Sequence, residues 1–124
     1  MKPPRKSPAA SPTERIIEKL SKRWTLLILH TFTEKRTLRF SSLLEALPKI
    51  NSRILSQRLS ELEKEALISR TVSGKKPITI VYTITEKGMD LRRVFDGFAI
   101  WGKKWDKKSA APAKNTFFRT LIGG

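Results

Sequence analysis

Arg53, Ser56, Gln57 and Ser60 recur at helical spacing within one short run, and their side chains are types that read the edges of base pairs. A guanidinium can make two parallel hydrogen bonds to guanine and a carboxamide two to adenine, while a serine hydroxyl suits either base. On a helical wheel of about 100° per residue with Leu55 at the origin, Leu59, Leu62 and Ala66 lie within about 40° of it. Arg53, Gln57, Ser60 and Lys64 gather round the opposite pole, with Ser56 and Glu61 on its flanks. One helix would therefore bury leucines on one side and present a guanidinium, an amide and hydroxyls on the other. Gln57 is the only glutamine in the chain, and Asn51, just ahead of this run, is one of two asparagines. Any solvated helix face looks similar in isolation, so the reading depends on the elements around it.

Those elements have a definite order. A short helix over residues 42–47 leads through the turn Pro48-Lys49-Ile50-Asn51 into the helix over residues 52–66. Two β-rich runs follow, 67–72 and 78–85, split by Ser73-Gly74-Lys75-Lys76-Pro77. That is a helix-turn-helix with a two-stranded basic wing, and Leu38-Arg39-Phe40 is expected as a short strand pairing with it. Upstream, Ser11-Pro12-Thr13-Glu14 combines a capping residue, a proline for the first helical position and a capping-box glutamate. The helix it starts is expected to carry Ile16, Ile17 and Leu20 inward and to run to about Lys22. The stretch 24–33 is apolar nearly all round, as expected of a central helix packed on several sides.

Downstream, Thr85 is placed to cap a long helix from Glu86 to about Lys108. Leu91, Val94, Phe98, Trp101 and Trp105 form a heptad-like seam along it, flanked by Phe95. Two Trp residues near its far end would be exposed in a monomer, and large exposed apolar patches mark interfaces. The seam suits a homodimer interface, or a fold back onto the first helix of the same chain with its Ile16, Ile17 and Leu20. The fold class read here is mainly α with a small β-sheet (α+β), a winged helix-turn-helix whose N- and C-terminal helices form a dimer interface. Residues 1–10 read as a disordered basic tail, 11–108 as the DNA-binding domain and 109–124 as a tail of ambiguous structure.

Charge agrees with that plan. The chain carries 26 Lys and Arg against 11 Asp and Glu, a net +15 that gathers phosphates and releases their counterions. Arg70, Lys75 and Lys76 have no acidic neighbour between Leu67 and Thr85, and Lys2, Arg5 and Lys6 have none in the N-terminal tail. Asn51 and Ser52, at the start of the second helix, and Arg39, Ser41 and Ser42, at the start of the first, are candidate backbone contacts. Arg58 and Lys64 join them; such contacts set register without carrying sequence information. Lys75 and Lys76 at the wing tip suit the phosphates or the minor groove.

Other classes of function fit poorly. The chain has no Cys, which removes disulfides, thiol switches and Cys-based zinc sites. His30, the one histidine, lies in an apolar run without the companions a metal needs. There is no phosphate-binding glycine loop and no nucleophile–His pairing, so an enzyme is not expected, nor a cofactor. Glu61, Glu63 and Glu65 read as helix charges paired with Lys64 or Arg58. The longest apolar stretch is too short to span a membrane and the basic N-terminus lacks the apolar segment of a secretory signal, so a cytoplasmic, nucleoid-associated protein is expected.

Several blocks taken together resemble the HxlR-type family of winged helix-turn-helix transcription regulators. They are Lys22-Arg23-Trp24-Thr25-Leu26-Leu27-Ile28-Leu29, Leu38-Arg39-Phe40 with Leu43, and Leu47-Pro48-Lys49-Ile50. They continue through Leu55-Ser56-Gln57-Arg58-Leu59-Ser60-Glu61-Leu62-Glu63 and end at Tyr82-Thr83-Ile84-Thr85-Glu86-Lys87-Gly88, so that the likeness spans about residues 14–104. It implies a dimer joined through its first and last helices, with recognition helices in successive major grooves of duplex DNA. Many members carry a Cys near the start of the first helix; this chain has none, which excludes thiol sensing. The charge also exceeds what such a regulator needs, which keeps a less sequence-specific, architectural DNA-binding role as the alternative. No small-molecule effector is identifiable.

Overall fold

The computed structural model describes residues 10–106. The expectations placed on residues 1–9 and 107–124, including the tail cations Lys2, Arg5 and Lys6, lie outside the described residues. In chain order the elements are α1 (Pro12–Leu20), α2 (Thr25–Lys35), β1 (Thr37–Leu38), α3 (Phe40–Ala46), α4 (Ser52–Lys64), β2 (Ile68–Val72), β3 (Ile80–Ile84), α5 (Glu86–Met89) and α6 (Arg92–Trp105).

The starts of the helices follow from local chemistry. Ser11 Oγ accepts from Glu14 N at 3.1 Å and the Glu14 carboxylate accepts from Ser11 N at 3.0 Å, a reciprocal capping box with Pro12 at the first helical position. Asn51 Oδ1 accepts from Ile54 N at 2.8 Å and so opens α4. α2 is the centre of the molecule. Its Ile28, Leu29 and Phe32 are buried together with Leu43 and Leu47, with Leu55, Leu59 and Leu62 of α4, and with Ile68 and Ile84 of the sheet. Two buried hydroxyls of α2 bond within the helix, Thr31 Oγ1 donating to Leu27 O at 2.8 Å and Thr33 Oγ1 to His30 O at 2.7 Å. Such pairing is what makes their burial tolerable.

The three strands form one antiparallel sheet in the order β1-β3-β2. Register runs from Ile68 opposite Ile84, at the buried end, to Val72 opposite Ile80 towards the tip, while Leu38 of β1 faces Tyr82. The strand expected at Leu38-Arg39-Phe40 is thus real but ends at Leu38. Arg39 has extended backbone and caps α3, and Phe40 belongs to that helix, which begins two residues earlier than the pattern of apolar positions suggested.

α4 also ends earlier than expected. Ala66 takes a left-handed conformation at φ 62°, Ala66 N donates to Glu63 O at 2.9 Å and Leu67 N to Leu62 O at 3.0 Å. This is a Schellman turn, stabilised by the buried pair Leu62 and Leu67, with alanine in the position usually held by glycine.

The largest departure lies after the wing, where one helix from Glu86 to about Lys108 was expected and two segments are found. Thr85 Oγ1 accepts from Gly88 N at 3.1 Å, capping α5, and itself donates to Ala66 O at 2.7 Å. Gly88 is pressed against the end of α4: a methyl added to it would run into Leu67 O and, at 2.7 Å, Ile84 Cγ1. The chain then tightens, Leu91 N donating to Gly88 O at 3.0 Å, before Leu91 O accepts from Phe95 N at 3.1 Å and α6 begins. α6 is seated on α2 by two contacts. Arg92 Nη1 donates to Thr33 O at 3.0 Å, and the rings of His30 and Phe95 meet edge to face with centroids 5.1 Å apart. Burial lowers the His30 pKa from its ordinary value, assisted by Arg92 and opposed by Glu34 and Asp96.

Two glycine exchanges of opposite sign test this account. Ala66→Gly should stabilise the fold by about 0.5–1 kcal/mol by relieving the left-handed alanine. Gly88→Ala should cost about 1–3 kcal/mol through overpacking, a fall of roughly 5–20 °C in a thermal melt for a domain of this size.

Candidate nucleic-acid interface

Burial of Leu55, Leu59 and Leu62 on α2 and the sheet aims the rest of α4 outward. Arg53, Ser56, Gln57, Ser60 and Lys64 are all exposed, and Asn51 and Ser52 stand exposed at the helix start. The preceding turn is held from inside by Leu47 and Ile50, both buried, and by Ile50 N donating to Leu47 O at 3.0 Å. Lys49, which the sequence reading placed in the turn without a role, is exposed between the two helices. Its only signal in the sequence was its position beside Asn51. Arg39 and Ser41 at the start of α3 are exposed and Ser42 is half-buried. Asn51 uses its side-chain oxygen as the helix cap, so only its amide NH2 remains for a phosphate.

The wing is the antiparallel hairpin of β2 and β3. Ser73 N donates to Thr79 O at 2.8 Å and Lys75 N to Ser73 Oγ at 3.2 Å, which closes the tip and leaves Lys75 and Lys76 exposed there. Arg70, on β2 opposite Tyr82, is exposed as well. Like charges carried on one hairpin that contains no acid repel, and a line of phosphates relieves that repulsion.

Arg58 has a different task from the backbone contact expected of it. Its Nε donates to Arg23 O at 2.9 Å and its Nη1 lies 3.4 Å from both oxygens of Glu61, with the side chain only 14% exposed. The guanidinium joins α4 to the α1–α2 turn. Glu61 and Glu65 are likewise engaged with Lys22 and Lys19 of the N-terminal region rather than with Lys64.

The seam residues divide into two groups. Val94, Phe98, Trp101 and Trp105 line one side of α6 and are exposed, Trp101 by 67% and Trp105 by 64%; Ile16 and Ile17 of α1, expected to face inward, are exposed too, because of α1 only Leu20 reaches the core. Phe95, expected beside them at an interface, is 7% exposed and belongs to the core of its own chain through His30. Leu20 and Leu91 are half-buried against that core. Ile100, missed in the sequence reading, is exposed elsewhere on α6, off the seam by helical spacing. Among the described residues no helix is long and apolar enough to cross a membrane, and no three His, Asp or Glu side chains are grouped to hold a metal ion.

Two helices joined by a buried turn, the second with a polar outer face, and a three-stranded sheet with a basic hairpin define a winged helix-turn-helix protein of the transcription-regulator type. Comparison with known proteins agrees. The model of the HxlR-like helix-turn-helix family matches residues 19–110, and the chain belongs to that family. It is 37% identical over 92 residues to YvaP, an uncharacterized HTH-type transcriptional regulator of Bacillus subtilis (strain 168), covering 74% of this chain and 84% of YvaP. Identity to the HTH-type transcriptional regulator YodB of the same organism is 36% over 86 residues, covering 69% and 76% of the two chains.

The solved structure of YodB in its reduced form superposes with a TM-score of 0.70 at 33% identity, over 81% of this chain and 98% of YodB. A transcriptional regulator of the MarR family from Enterococcus faecalis V583 gives a TM-score of 0.68 at 26% identity, over 84% and 96%. The protein is thus a helix-turn-helix transcriptional regulator, with DNA binding implied, and its relatives are regulators rather than enzymes.

Proposed function

We propose that this protein acts as a homodimer that binds an inverted repeat in double-stranded DNA with sequence specificity, α4 entering the major groove and the wing lying on the backbone or in the minor groove. The observation that carries the reading is the division of α4: leucines committed to the core on one side, and Arg53, Ser56, Gln57 and Ser60 exposed on the other. Those four contact bases in this reading. Arg39, Ser41, Ser42, Asn51, Ser52 and Lys64 contact the backbone, and Lys75 and Lys76 follow the wing. The dimer is supported by the exposed apolar residues of α1 and α6, a patch of the kind that monomers rarely leave in water. Two-fold symmetry then calls for half-sites about one helical turn apart. Occlusion of polymerase is the simplest consequence of occupancy, and the place of action is the nucleoid in the cytoplasm.

Selection from a pool of random duplexes near physiological salt tests the whole reading. Enrichment of an inverted repeat is the expected result. Tight retention without enrichment would instead establish an architectural protein that coats DNA, the role favoured by the net charge of +15.

Three further outcomes follow from the geometry. Gln57→Ala should lose roughly 1–3 kcal/mol on the selected site and relax preference at one position per half-site, whereas Lys75→Ala should weaken all duplexes alike and make the salt slope shallower by about one unit. Trp101→Ala should shift sedimentation towards monomer; an intact dimer would place the interface elsewhere.

A further inference from the structure

α4 has a third side. Arg58, Glu61 and Glu65 lie between about 60° and 120° round the helix from Leu55, on the flank away from Ser56. All three reach the N-terminal segment. Lys19 Nζ lies 3.2 and 3.1 Å from the two Glu65 oxygens, Lys22 Nζ is 3.1 Å from Glu61 Oε2, and Arg58 Nε donates to Arg23 O at 2.9 Å. The guanidinium of Arg23 in turn sits 5.0 Å over the ring of Trp24, which occupies the turn at φ 80°. Against this, α1 has little apolar attachment: none of its residues is buried, and only Leu20 packs on the core. Exposed ion pairs of this kind contribute little to stability one at a time. One such pair on α1 itself, Lys19 with Glu65, together with Lys22 and the Arg23 carbonyl held in the α1–α2 turn, instead gives α1 a direction.

We infer that this lateral stripe is a latch that fixes α1 relative to the recognition helix, with Arg58 as its positioning residue, and that it sets the half-site spacing the protein accepts. The inference rests on the dimer reading above. If two chains join through α1 and α6, the placement of α1 on α4 becomes the separation and tilt of the two recognition helices. A two-fold axis applies any shift to both copies, so a small change at α1 is doubled across the pair. Spacing selectivity is then a property of Arg58, Glu61 and Glu65, none of which reads a base.

The test is the same random-duplex selection, read as the distribution of spacings between the two halves of the enriched repeat. It is run on the full chain and on the pair Glu61→Gln with Glu65→Gln, which keeps size and removes two exposed acids. Ordinary electrostatics predicts that this variant, more positive by two charges, simply binds every duplex more tightly. The latch predicts something else: the wild type should prefer one spacing over its neighbours by at least roughly fivefold, the lower end of couplings between linked parts of a protein, and the variant should lose most of that preference. Preference for the half-site sequence itself should persist. Arg58→Ala should act in the same direction, and because it also removes a half-buried group, the Glu pair carries the decision if Arg58→Ala fails to fold. An unchanged spacing profile in the Glu pair overturns the latch alone. A wild type that enriches no repeat overturns the latch together with the dimer reading.

Discussion

Everything outward-facing in this protein depends on the burial of one leucine stripe. Leu55, Leu59 and Leu62 are almost wholly removed from water, and burying each contributes on the order of 2 kcal/mol. Rotating α4 by a single residue, about 100°, would bring leucines to the surface and push Arg53 or Gln57 towards Phe32 and Ile68. Burying an unpaired guanidinium alone costs several kcal/mol, so no such rotation competes. The outer face of α4 needs no specific interaction of its own to hold it outward. It is what remains when the core has been satisfied, and the Asn51 cap and the buried turn residues Leu47 and Ile50 fix where it begins.

A second constraint sits where the end of α4 meets the end of the wing. Thr85 N donates to Leu67 O at 3.0 Å, its hydroxyl donates to Ala66 O, and its Oγ1 also accepts from Gly88 N. Gly88 lies against the Leu67 carbonyl with no room for a Cβ. One junction therefore decides three things: where α4 stops, at which angle the hairpin leaves the core, and where the C-terminal helices start. The basic wing and the recognition helix are held in a common frame because both end on the same few backbone atoms.

The polar and apolar faces of α6 show the same economy in reverse. Phe95 and Arg92 seat the helix on α2, through the His30 ring and the Thr33 carbonyl, and complete the core of a single chain. With that done, Val94, Phe98, Trp101 and Trp105 remain exposed on a neighbouring side, beyond what the single chain can cover among its described residues. The molecule thus separates a core that folds one chain, a polar face suited to duplex DNA and an apolar seam suited to a second copy. Charge pairs from α1 and from the α1–α2 turn to the flank of α4, Lys19 with Glu65 and Lys22 with Glu61, join the N-terminal segment to that helix.

Much of this was legible in the residues. The alternation of leucines and polar groups over residues 52–64, the Asn51 cap, the Ser11 capping box and the two β-rich runs all act over a few residues, where periodicity and capping chemistry apply directly. The exposed positions Arg53, Ser56, Gln57, Ser60, Lys75 and Lys76 followed from those patterns. Contacts between residues far apart in the chain were not legible. Arg58 looked like one more cation on a recognition helix; only packing put Arg23 O within its reach. Phe95 reads as part of a seam, but His30 meets it from α2, and the helix expected from Glu86 is divided at Leu91, just past the Gly88 that lies against Leu67. Sequence by itself determined which faces are apolar, charged or polar, since those depend on local order. Which charges are paired, which aromatic is core and where the last helix begins were decided by tertiary structure, because each depends on a neighbour tens of residues away.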